Sequence, residues 1–441
     1  MAYNRKQRLN DNIKAIETAF ILDREQRTPT ARERLLLERY CGFGGLKCIL
    51  NPARELADAV HWAKSDLELF APTVELHRLI RENSKNESEY KQLMDSLKQS
   101  VLTAFYTPSA VTEALTDVLK EHQIIPEKVL EPSAGIGAFV DSVLDNNPKA
   151  DIMAFEKDLL TGKILHHLHP EQKVRIEGFE KIEKPFNDYF DLAISNIPFG
   201  DVAVFDPSYT AMKGMRALVT RRIHNYFFVK ALDTVRDGGL VAFITSQGVL
   251  NAKNNSAARF MMLYHADLVS AIRLPNNLFT ENANTEVGSD IIILQKNTQK
   301  ESLRGDDNLL DTVYNDENRI PTNNYFLEHP ERIIHTTAKL DTDPFGKPAM
   351  IYTHEDGVEG IAEDLRKMLH EDFKKNLNLN RYLGIEETKA EEVKEIEETE
   401  KIEKTEKIKP TIEVKQNDTV VSLQKQEKPT DDAELSQKSN H

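Results

Sequence analysis

Four consecutive residues at the end of an apolar run have the types needed for chemistry on an amino nitrogen. Asn196, Ile197, Pro198 and Phe199 follow residues 190–195, which predict a buried strand. The exocyclic amine of adenine is a poor nucleophile because its lone pair is delocalised into the ring. The Asn196 side-chain oxygen and the Ile197 carbonyl could accept its two N–H groups and make the lone pair available. Pro198 would hold the carbonyl in place, and Phe199 would offer a stacking face.

A glycine-containing turn precedes this element along the chain. Residues 129–144, VLEPSAGIGAFVDSVL, predict a strand, a turn and a helix start, in which Gly135 and Gly137 let a ligand approach the backbone. The next predicted strand ends in Glu156, 25 positions after Glu131, where a carboxylate can accept both ribose hydroxyls of a nucleoside cofactor. A purely structural turn is the alternative, and a nicotinamide cofactor would need the same acid. The four-residue element described above decides between the cofactors.

The segment between residues 104 and 296 has the pattern of an α/β fold. Its short apolar runs alternate with helix-length segments, which is typical of a largely parallel, doubly wound sheet covered on both faces. The last two strands lack a clear helix between them, so we expect them to form an antiparallel edge. The predicted strands are Lys128–Glu131, Ile152–Glu156, Val174–Ile176, Phe190–Ser195, Gly239–Thr245, Leu268–Arg273 and Asp290–Gln295.

The segments on either side of this α/β region differ from it. Helix-spaced apolar residues predict one helix around residues 9–20, another after Thr28 and Pro29, and a third over residues 89–101, together a small helical domain or a lid. Residues beyond 300 are polar and weakly patterned. The predicted domains are an N-terminal helical domain (1–100), a catalytic domain (101–300), a small polar extension (301–385) and a disordered charged tail (386–441).

Composition limits the class of protein. The formal net charge is −15, of which the tail with its 16 acidic and 10 basic residues carries −6, and charge alone does not decide whether nucleic acid is bound. Cys41 and Cys48 fit neither a zinc site nor a disulfide framework, which indicates a reducing compartment. No apolar run approaches the ~20 residues that span a bilayer. We therefore expect a cytoplasmic protein without a membrane partner.

The order and spacing of these motifs resemble the N6-adenine DNA methyltransferases, in particular their gamma subgroup. The likeness extends over about 190 residues, which makes it more specific than any single motif. Ile197 departs from the family signature Asn/Asp-Pro-Pro-Tyr/Phe, in which this position is proline. The matching segments are Phe105-Tyr106-Thr107-Pro108, the turn from Glu131 to Gly137, Glu156, Asn196-Ile197-Pro198-Phe199, and Tyr226-Phe227-Phe228 with Gly238–Phe243.

The resemblance implies a cofactor, S-adenosylmethionine, and direct methyl transfer to N6 of an adenine flipped out of the duplex. The family has an acidic residue near the cofactor adenine where this chain has Gly178, so Glu177 or Glu180 is the expected substitute. Phe179 is expected either to pack against that adenine or to be a core residue. The implied cofactor-binding residues are Thr107, Glu131, Pro132, Ser133, Ala134, Gly135, Gly137, Glu156, Phe179 and Glu180.

The resemblance also implies DNA as the partner, and two features are candidates for binding it. Phe279 would close the other side of the base pocket, or else pack a strand end as an ordinary loop phenylalanine. A stretch without acidic residues contains Lys213, Arg216, Arg221 and Arg222, which would bind phosphates or form a solvated face. The sequence predicts no metal site, and the histidines at 166, 167, 169 and 224 are interpreted as surface residues.

A second resemblance concerns residues 40–46, YCGFGGL, which are similar to the N-terminal region of methylase-helicase proteins of plasmids, phages and conjugative elements. The nucleotide-binding pattern GxxxxGK[ST] is absent, so the likeness is to the methylase portion, and a separate specificity or helicase protein is a candidate partner. Methylation of RNA or of a protein glutamine remains an alternative. A non-catalytic DNA-binding or antirestriction component of a mobile element is another.

Overall fold

Seven strands form the central sheet of the protein. The computed structural model describes residues 4–103, 106–212, 214–280, 286–303, 307–314, 319–343 and 346–385, so the predicted tail lies outside the described residues. The strands are β1 (Lys128–Glu131), β2 (Asp151–Phe155), β3 (Lys173–Arg175), β4 (Phe190–Asn196), β5 (Val235–Ser246), β6 (Ala266–Leu274) and β7 (Ser289–Lys296). Their order in the sheet is β3-β2-β1-β4-β5-β7-β6.

All seven predicted strands are confirmed, with boundaries that shift by at most four residues. Strands β1 to β5 pair in parallel, and β7 runs antiparallel to both of its neighbours, β5 and β6. The prediction that the last two strands form an antiparallel edge is therefore confirmed, and β6 is the outermost of the two. Every residue of β7 is buried, as expected for a strand inside the sheet.

Helices cover both faces of the sheet. On one face pack α5 (Ser109–Glu121), α6 (Ala138–Asn146) and α14 (Gly357–Asn376). On the other face pack α10 (Ile223–Thr234) and α12 (Ser256–His265). Two short hairpins follow the sheet, β8 (Thr312–Tyr314) with β9 (Pro321–Asn323) and β10 (Thr337–Thr342) with β11 (Pro348–Thr353). The helices are α1 (Arg5–Glu25), α2 (Ala31–Leu37), α3 (Phe70–Glu82), α4 (Glu87–Thr103), α5 (Ser109–Glu121), α6 (Ala138–Asn146), α7 (Leu159–Leu168), α8 (Pro207–Thr210), α9 (Met215–Val219), α10 (Ile223–Thr234), α11 (Gly248–Asn251), α12 (Ser256–His265), α13 (Asn324–Glu328), α14 (Gly357–Asn376) and α15 (Leu379–Leu383).

The N-terminal helices share one hydrophobic cluster with α7 of the sheet region. Leu160, Ile164 and Leu168 of α7 are buried together with apolar residues of α1, α3 and α4. The three predicted helices are confirmed as α1, α2 and α4, whereas α3 was not predicted. Helix α2 begins after Thr30 rather than Thr28, because Thr30 caps the helix together with Glu33 in a reciprocal capping box.

The predicted small extension over residues 301–385 is not a separate unit. Helix α14 places Ile361, Leu365, Leu369 and Phe373 in the same core as α5 and the sheet. The Ser270 hydroxyl of β6 donates a hydrogen bond of 2.7 Å to Asp372 of this helix. These apolar residues recur every four positions among charged ones, which makes a narrow helical stripe that is easily overlooked.

The histidines predicted to lie on the surface are mostly buried. His167 bonds Asp23 of α1 at 2.7 Å, and the pKa of His169 falls to about 4 because burial disfavours its charged form. His224 is likewise buried, and of these four histidines only His166 is exposed.

In the described part of the chain, no group of three or more His, Cys, Asp or Glu side chains could hold a metal ion. No described helix is both long and apolar enough to cross a bilayer.

Replacing Phe373 by alanine tests whether α14 is part of the sheet core. The ring is buried against the sheet, so its loss is expected to lower the free energy of unfolding by about 3–5 kcal/mol. Urea denaturation followed by circular dichroism measures the change. Glu363→Ala on the exposed side of the same helix is the control, with an expected change within about 0.5 kcal/mol. Equal stability of Phe373→Ala and the wild type would show that α14 is a peripheral attachment.

Candidate active site

The candidate catalytic and cofactor elements meet at one edge of the sheet. Strands β1 and β4 pair in parallel and lie next to each other, with β2 and β3 on one side and β5 on the other. Strand order therefore reverses between β1 and β4, and open α/β sheets bind ligands at the carboxyl ends of strands at such a reversal. Glu131 ends β1, Glu156 follows β2, and Asn196 ends β4 at this position.

The turn after β1 requires glycine at two positions. Gly135 and Gly137 have φ angles of 57° and 94°, in the left-handed region that side chains disfavour. A Cβ atom at Gly135 would lie 2.9 Å from the Tyr106 ring, and one at Gly137 would lie 2.5 Å from His169 Nε2. The Ala134 N–H donates to the Phe155 carbonyl at 2.8 Å, which ties the turn to β2. The backbone is therefore held close to the neighbouring strand with its helix start exposed to a ligand.

Glu156 is bound to the glycine turn by its own carboxylate. Gly135 N–H donates to Oε2 at 2.8 Å, and Asp158 N–H donates to Oε1 at 2.7 Å. The side chain is partly exposed, yet the surrounding protein and the nearby Asp158 raise its pKa to about 8. A carboxylate in this position can accept further hydrogen bonds from hydroxyl groups at the mouth of the site.

Glu131 has a different environment from Glu156, although both acids end neighbouring strands. Its side chain is buried, the Ser133 N–H donates to its Oε1 at 3.2 Å, and burial raises its pKa to about 8. Pro132 and Ala134 are buried beside it, and Ser133 is partly exposed. Glu131 is thus buried next to the turn, whereas Glu156 is partly exposed next to it.

Side-chain hydroxyls of the N-terminal region and of Tyr106 contact the start of α7, next to Glu156. Tyr40 and Tyr106 both place their hydroxyls near Thr161 of α7, at 3.2 and 3.4 Å. Ser96 of α4 donates a 2.6 Å hydrogen bond to Asp158, the residue whose N–H binds Glu156. The predicted element Tyr106-Thr107-Pro108 therefore lies against the turn, with Thr107 buried; Phe105 lies outside the described residues.

The four-residue element at the end of β4 is held by a main-chain hydrogen bond. Ile197 N–H donates to the Ile244 carbonyl of β5 at 3.0 Å, a bond that a proline at this position could not form. The Ile197 side chain is buried in the core, whereas Asn196, Pro198 and Phe199 are partly exposed. The departure from the family signature thus has a physical reason: isoleucine extends the sheet and fills the core.

Phe279 lies beneath Phe199 and does not line a pocket. The two rings meet edge to face with centroids 6.3 Å apart, and Phe279 has no exposed surface. The burial of Phe279 favours the alternative of a packing residue over that of a second wall of the base pocket. Phe279 supports the ring of Phe199 from below.

Phe179 is also a core residue. Its ring is 1% exposed and packs against Phe155 and Phe227, with centroids 5.9 and 5.2 Å away. The structure therefore favours the core alternative over contact with a cofactor adenine.

The two acids that flank Phe179 in the sequence have different partners. Glu177 pairs with Arg175, and Glu180 lies 3.4 Å from the ammonium group of Lys157, the residue after Glu156. Glu180 is thus the better placed substitute for the family's acid.

The basic stretch between the catalytic element and α10 is only partly available to a ligand. Arg216 binds Asp233 at 2.7 Å, and Arg222 binds Asp201 at 2.7 Å. Arg221 is exposed and has no carboxylate partner within the described ranges, and Lys213 lies outside them. Of the four predicted basic residues, Arg221 therefore stays a candidate for binding phosphate. Arg222 instead joins its segment to Asp201.

A buried polar network beside the catalytic loop was not predicted from the sequence. Asn255 accepts hydrogen bonds from Arg222 at 2.6 Å and Asn225 at 2.9 Å, and it donates to the Gly248 carbonyl at 2.7 Å. His224 lies against the same asparagine, and burial lowers its pKa to about 4. The contacts of Asn255 with Arg222, His224 and Asn225 join residues about 30 positions apart, so no local pattern signals them.

A family model and two curated relatives match parts of this chain. The model of the N-6 DNA Methylase family matches residues 88–391. "Defense against restriction protein B" of Escherichia phage P1 is 29% identical over 201 residues, 44% of this chain and 8% of the phage protein. Type II methyltransferase M.XamI of Xanthomonas campestris pv. amaranthicola is 24% identical over 173 residues, 36% of this chain and 33% of that enzyme. The chain thus matches a third or less of the length of these relatives.

Solved structures resemble the chain over part of its length. A Listeria monocytogenes protein described as a class I S-adenosylmethionine-dependent methyltransferase has a TM-score of 0.39 and 16% identity, covering 67% of this chain and 90% of that one. The DNA-bound Type ISP restriction-modification enzyme LlaBIII has a TM-score of 0.38 and 13% identity, covering 83% of this chain and 27% of that one. No property of either protein follows for this chain from scores this low.

The family match covers more than half of the chain and includes the glycine turn, Glu156 and the element at Asn196. The chain therefore belongs to the N-6 DNA Methylase family, and its sheet is doubly wound, with one antiparallel strand, β7, inserted between β5 and β6.

Proposed function

We propose that the protein transfers a methyl group from S-adenosylmethionine to N6 of adenine in DNA. The observation that carries this proposal is the placement of the Asn196-Ile197-Pro198-Phe199 element at the reversal of strand order, beside the glycine turn. The sheet fixes the peptide that carries the Ile197 carbonyl, and the partly exposed Asn196 ends the same strand, at the edge where open α/β sheets bind ligands.

The residues after β1 and β2 fit such a cofactor. Gly135 and Gly137 hold a turn that any Cβ would obstruct, and the half-exposed Glu156 carboxylate can accept both ribose hydroxyls. Glu180 lies nearby as the expected partner of the adenine moiety. When bound here, S-adenosylmethionine would supply an electrophilic methyl group on its sulfonium.

The protein's own contribution to the chemistry is to position and polarise the amine. The Asn196 side-chain oxygen and the Ile197 carbonyl would each accept one N–H of the target amine, which frees the nitrogen lone pair. The Ile197–Ile244 hydrogen bond and Pro198 keep that carbonyl from turning away. Positioning of this kind is worth several kcal/mol, because it removes the entropy cost of finding the reactive geometry.

Phe199 would bind the target base. Adenine N6 is inaccessible within a duplex, so the base must leave the stack at a cost of a few kcal/mol. Stacking on an aromatic ring returns roughly 1–3 kcal/mol per base. The buried Phe279 ring beneath Phe199 restricts its movement, so a partly exposed face remains available for stacking.

A second candidate function is supported by the phage relative, whose name assigns it to defence against restriction. A protein that binds S-adenosylmethionine and DNA without turnover could serve in such a defence, alone or with a separate specificity or helicase protein. RNA or a protein glutamine as methyl acceptor would use the same two acceptors at Asn196 and Ile197. Measuring which polymer receives the methyl group separates these functions.

Replacing Asn196 by alanine tests the proposed catalytic role. The variant loses one of the two acceptors, so we expect methyl incorporation into DNA to fall by at least about 10²-fold. The assay measures transfer of labelled methyl from S-adenosylmethionine to DNA, RNA and protein in parallel. Calorimetry should show that the variant still binds S-adenosylhomocysteine, because the glycine turn and Glu156 are unchanged.

Asn254→Ala is the control, since this asparagine lies outside the cleft and contacts Arg222 at the surface. It should retain methylation within a few-fold of wild type. Label in RNA or protein but not in DNA would contradict the proposed substrate. Cofactor binding without label in any polymer would favour the non-catalytic function.

Cofactor affinity should increase with pH because of Glu156. Its pKa of about 8 means that the carboxyl is mostly protonated at pH 7 and mostly ionised at pH 9. Ribose hydroxyls donate best to the ionised form, so affinity for S-adenosylhomocysteine should rise by up to about tenfold between these pH values. Calorimetry at pH 7, 8 and 9 measures this rise.

Glu156→Gln should bind the ligand more weakly at pH 9 and show a smaller rise in affinity between pH 7 and 9 than wild type, because only Glu131, also with a pKa of about 8, still titrates there. Glu180→Gln is the matched control, which should leave the pH dependence in place because Glu156 is intact. An affinity for wild type that does not change between pH 7 and 9 would contradict the assignment of Glu156 to the ribose.

A further inference from the structure

The loop that leaves the catalytic element exposes large apolar side chains. Phe205 is 78% exposed, only six positions after Phe199. Exposed apolar residues of this size are costly in water when they cluster, and clusters of them mark binding surfaces. The exposed apolar residues of this loop and of the short helices that follow are Val202, Phe205, Met212, Met215 and Leu218.

Phe205 is held outward by the residues on either side of it. The Val204 N–H donates to the Thr220 carbonyl at 2.8 Å. Asp206 is buried and accepts hydrogen bonds from the Tyr226 hydroxyl at 2.6 Å and the Lys230 ammonium at 3.2 Å. With both neighbours tied to the core, the ring cannot fold inward without breaking these contacts. The exposure of Phe205 is therefore built into the loop.

A free cation lies on the adjacent backbone segment. Val204 is bonded to Thr220, and Asp201 forms an ion pair with Arg222, so residues 201–204 run alongside residues 220–222. Arg221, between these two contacts, is exposed and without a carboxylate partner among the residues that the structure describes. Phe205, six positions after Phe199, and Arg221 thus lie on two backbone segments that run side by side.

We propose that Phe205 enters the base stack of duplex DNA at the target adenine, while Arg221 binds an adjacent phosphate. This inference rests on the proposed function, because it concerns the duplex from which the base is taken. Proteins that deform DNA insert apolar side chains between base steps, and arginine contacts phosphates beside them. The unpaired positive charge favours DNA over an apolar protein partner as the occupant of this surface.

The physical role of the ring is to fill the space that the flipped adenine leaves. An empty space in the stack would favour return of the base, so a side chain that occupies it prolongs the flipped state. Single-stranded DNA has no such space to fill. The structure therefore predicts that Phe205 is needed for methylation of duplex DNA and is dispensable for single strands.

The test compares Phe205→Ser with wild type on duplex DNA that contains the target sequence, and on the same strand without its complement. Long-read sequencing of DNA from cells that express the protein first identifies that target. We expect kcat/KM on the duplex to fall about tenfold or more, and kcat/KM on the single strand to stay within about twofold. Leu56→Ser, at an 83% exposed position of the N-terminal region, is the control and should match wild type on both.

A second readout does not depend on turnover. A duplex with 2-aminopurine at the target position should gain fluorescence on addition of wild-type protein as the base unstacks, and should gain clearly less with Phe205→Ser. Arg221→Gln should lower the slope of log affinity against log salt by about one, whereas Arg39→Gln, at another exposed arginine, should leave it unchanged.

The outcomes separate this inference from the proposed function. We call the insertion of Phe205 into the base stack the wedge. If wild type methylates no DNA, the proposed function and the wedge are both wrong. If wild type methylates duplex DNA and Phe205→Ser does so equally well, the wedge is wrong and the proposed function stands. An equal loss on duplex and single strand, or a change in oligomeric state with normal duplex methylation, would also overturn the wedge.

Discussion

One main-chain hydrogen bond, from Ile197 N–H to the Ile244 carbonyl, fixes the backbone of the candidate catalytic element in this chain. It continues the pairing of β4 and β5 one residue beyond Asn196 and fixes the peptide that carries the Ile197 carbonyl. In the family signature this position is a proline, which cannot donate such a bond. In this chain, sheet pairing therefore positions the Ile197 carbonyl on the N-terminal side. On the C-terminal side, Pro198 restrains the backbone through its fixed φ angle.

The N-terminal helices have a definite part in this arrangement. They pack on α7, and their hydroxyl groups reach the residues that hold Glu156 and the glycine turn. Loss of these helices would expose the apolar residues of α7 and remove the Ser96–Asp158 hydrogen bond beside Glu156. The helical region is thus a structural support of the proposed cofactor site in addition to any part in recognising DNA.

The sequence was most informative where a signal is local. The strands were predicted because contiguous apolar runs are their signature, and the elements at Asn196 and Glu156 were found because they directly follow such runs. The docking of helix α14 on the sheet was not predicted, because its buried residues, Ile361, Leu365, Leu369 and Phe373, alternate with many charged ones. The burial of Phe279 and the network at Asn255 could not be predicted, because both depend on contacts between residues distant in the chain.

A crystal structure of the protein with DNA and S-adenosylhomocysteine would test the central claim most directly. The account predicts an extrahelical adenine whose N6 lies about 3 Å from both the Asn196 side-chain oxygen and the Ile197 carbonyl oxygen. An adenine that remains stacked in the duplex, or an N6 that reaches neither oxygen, would contradict it.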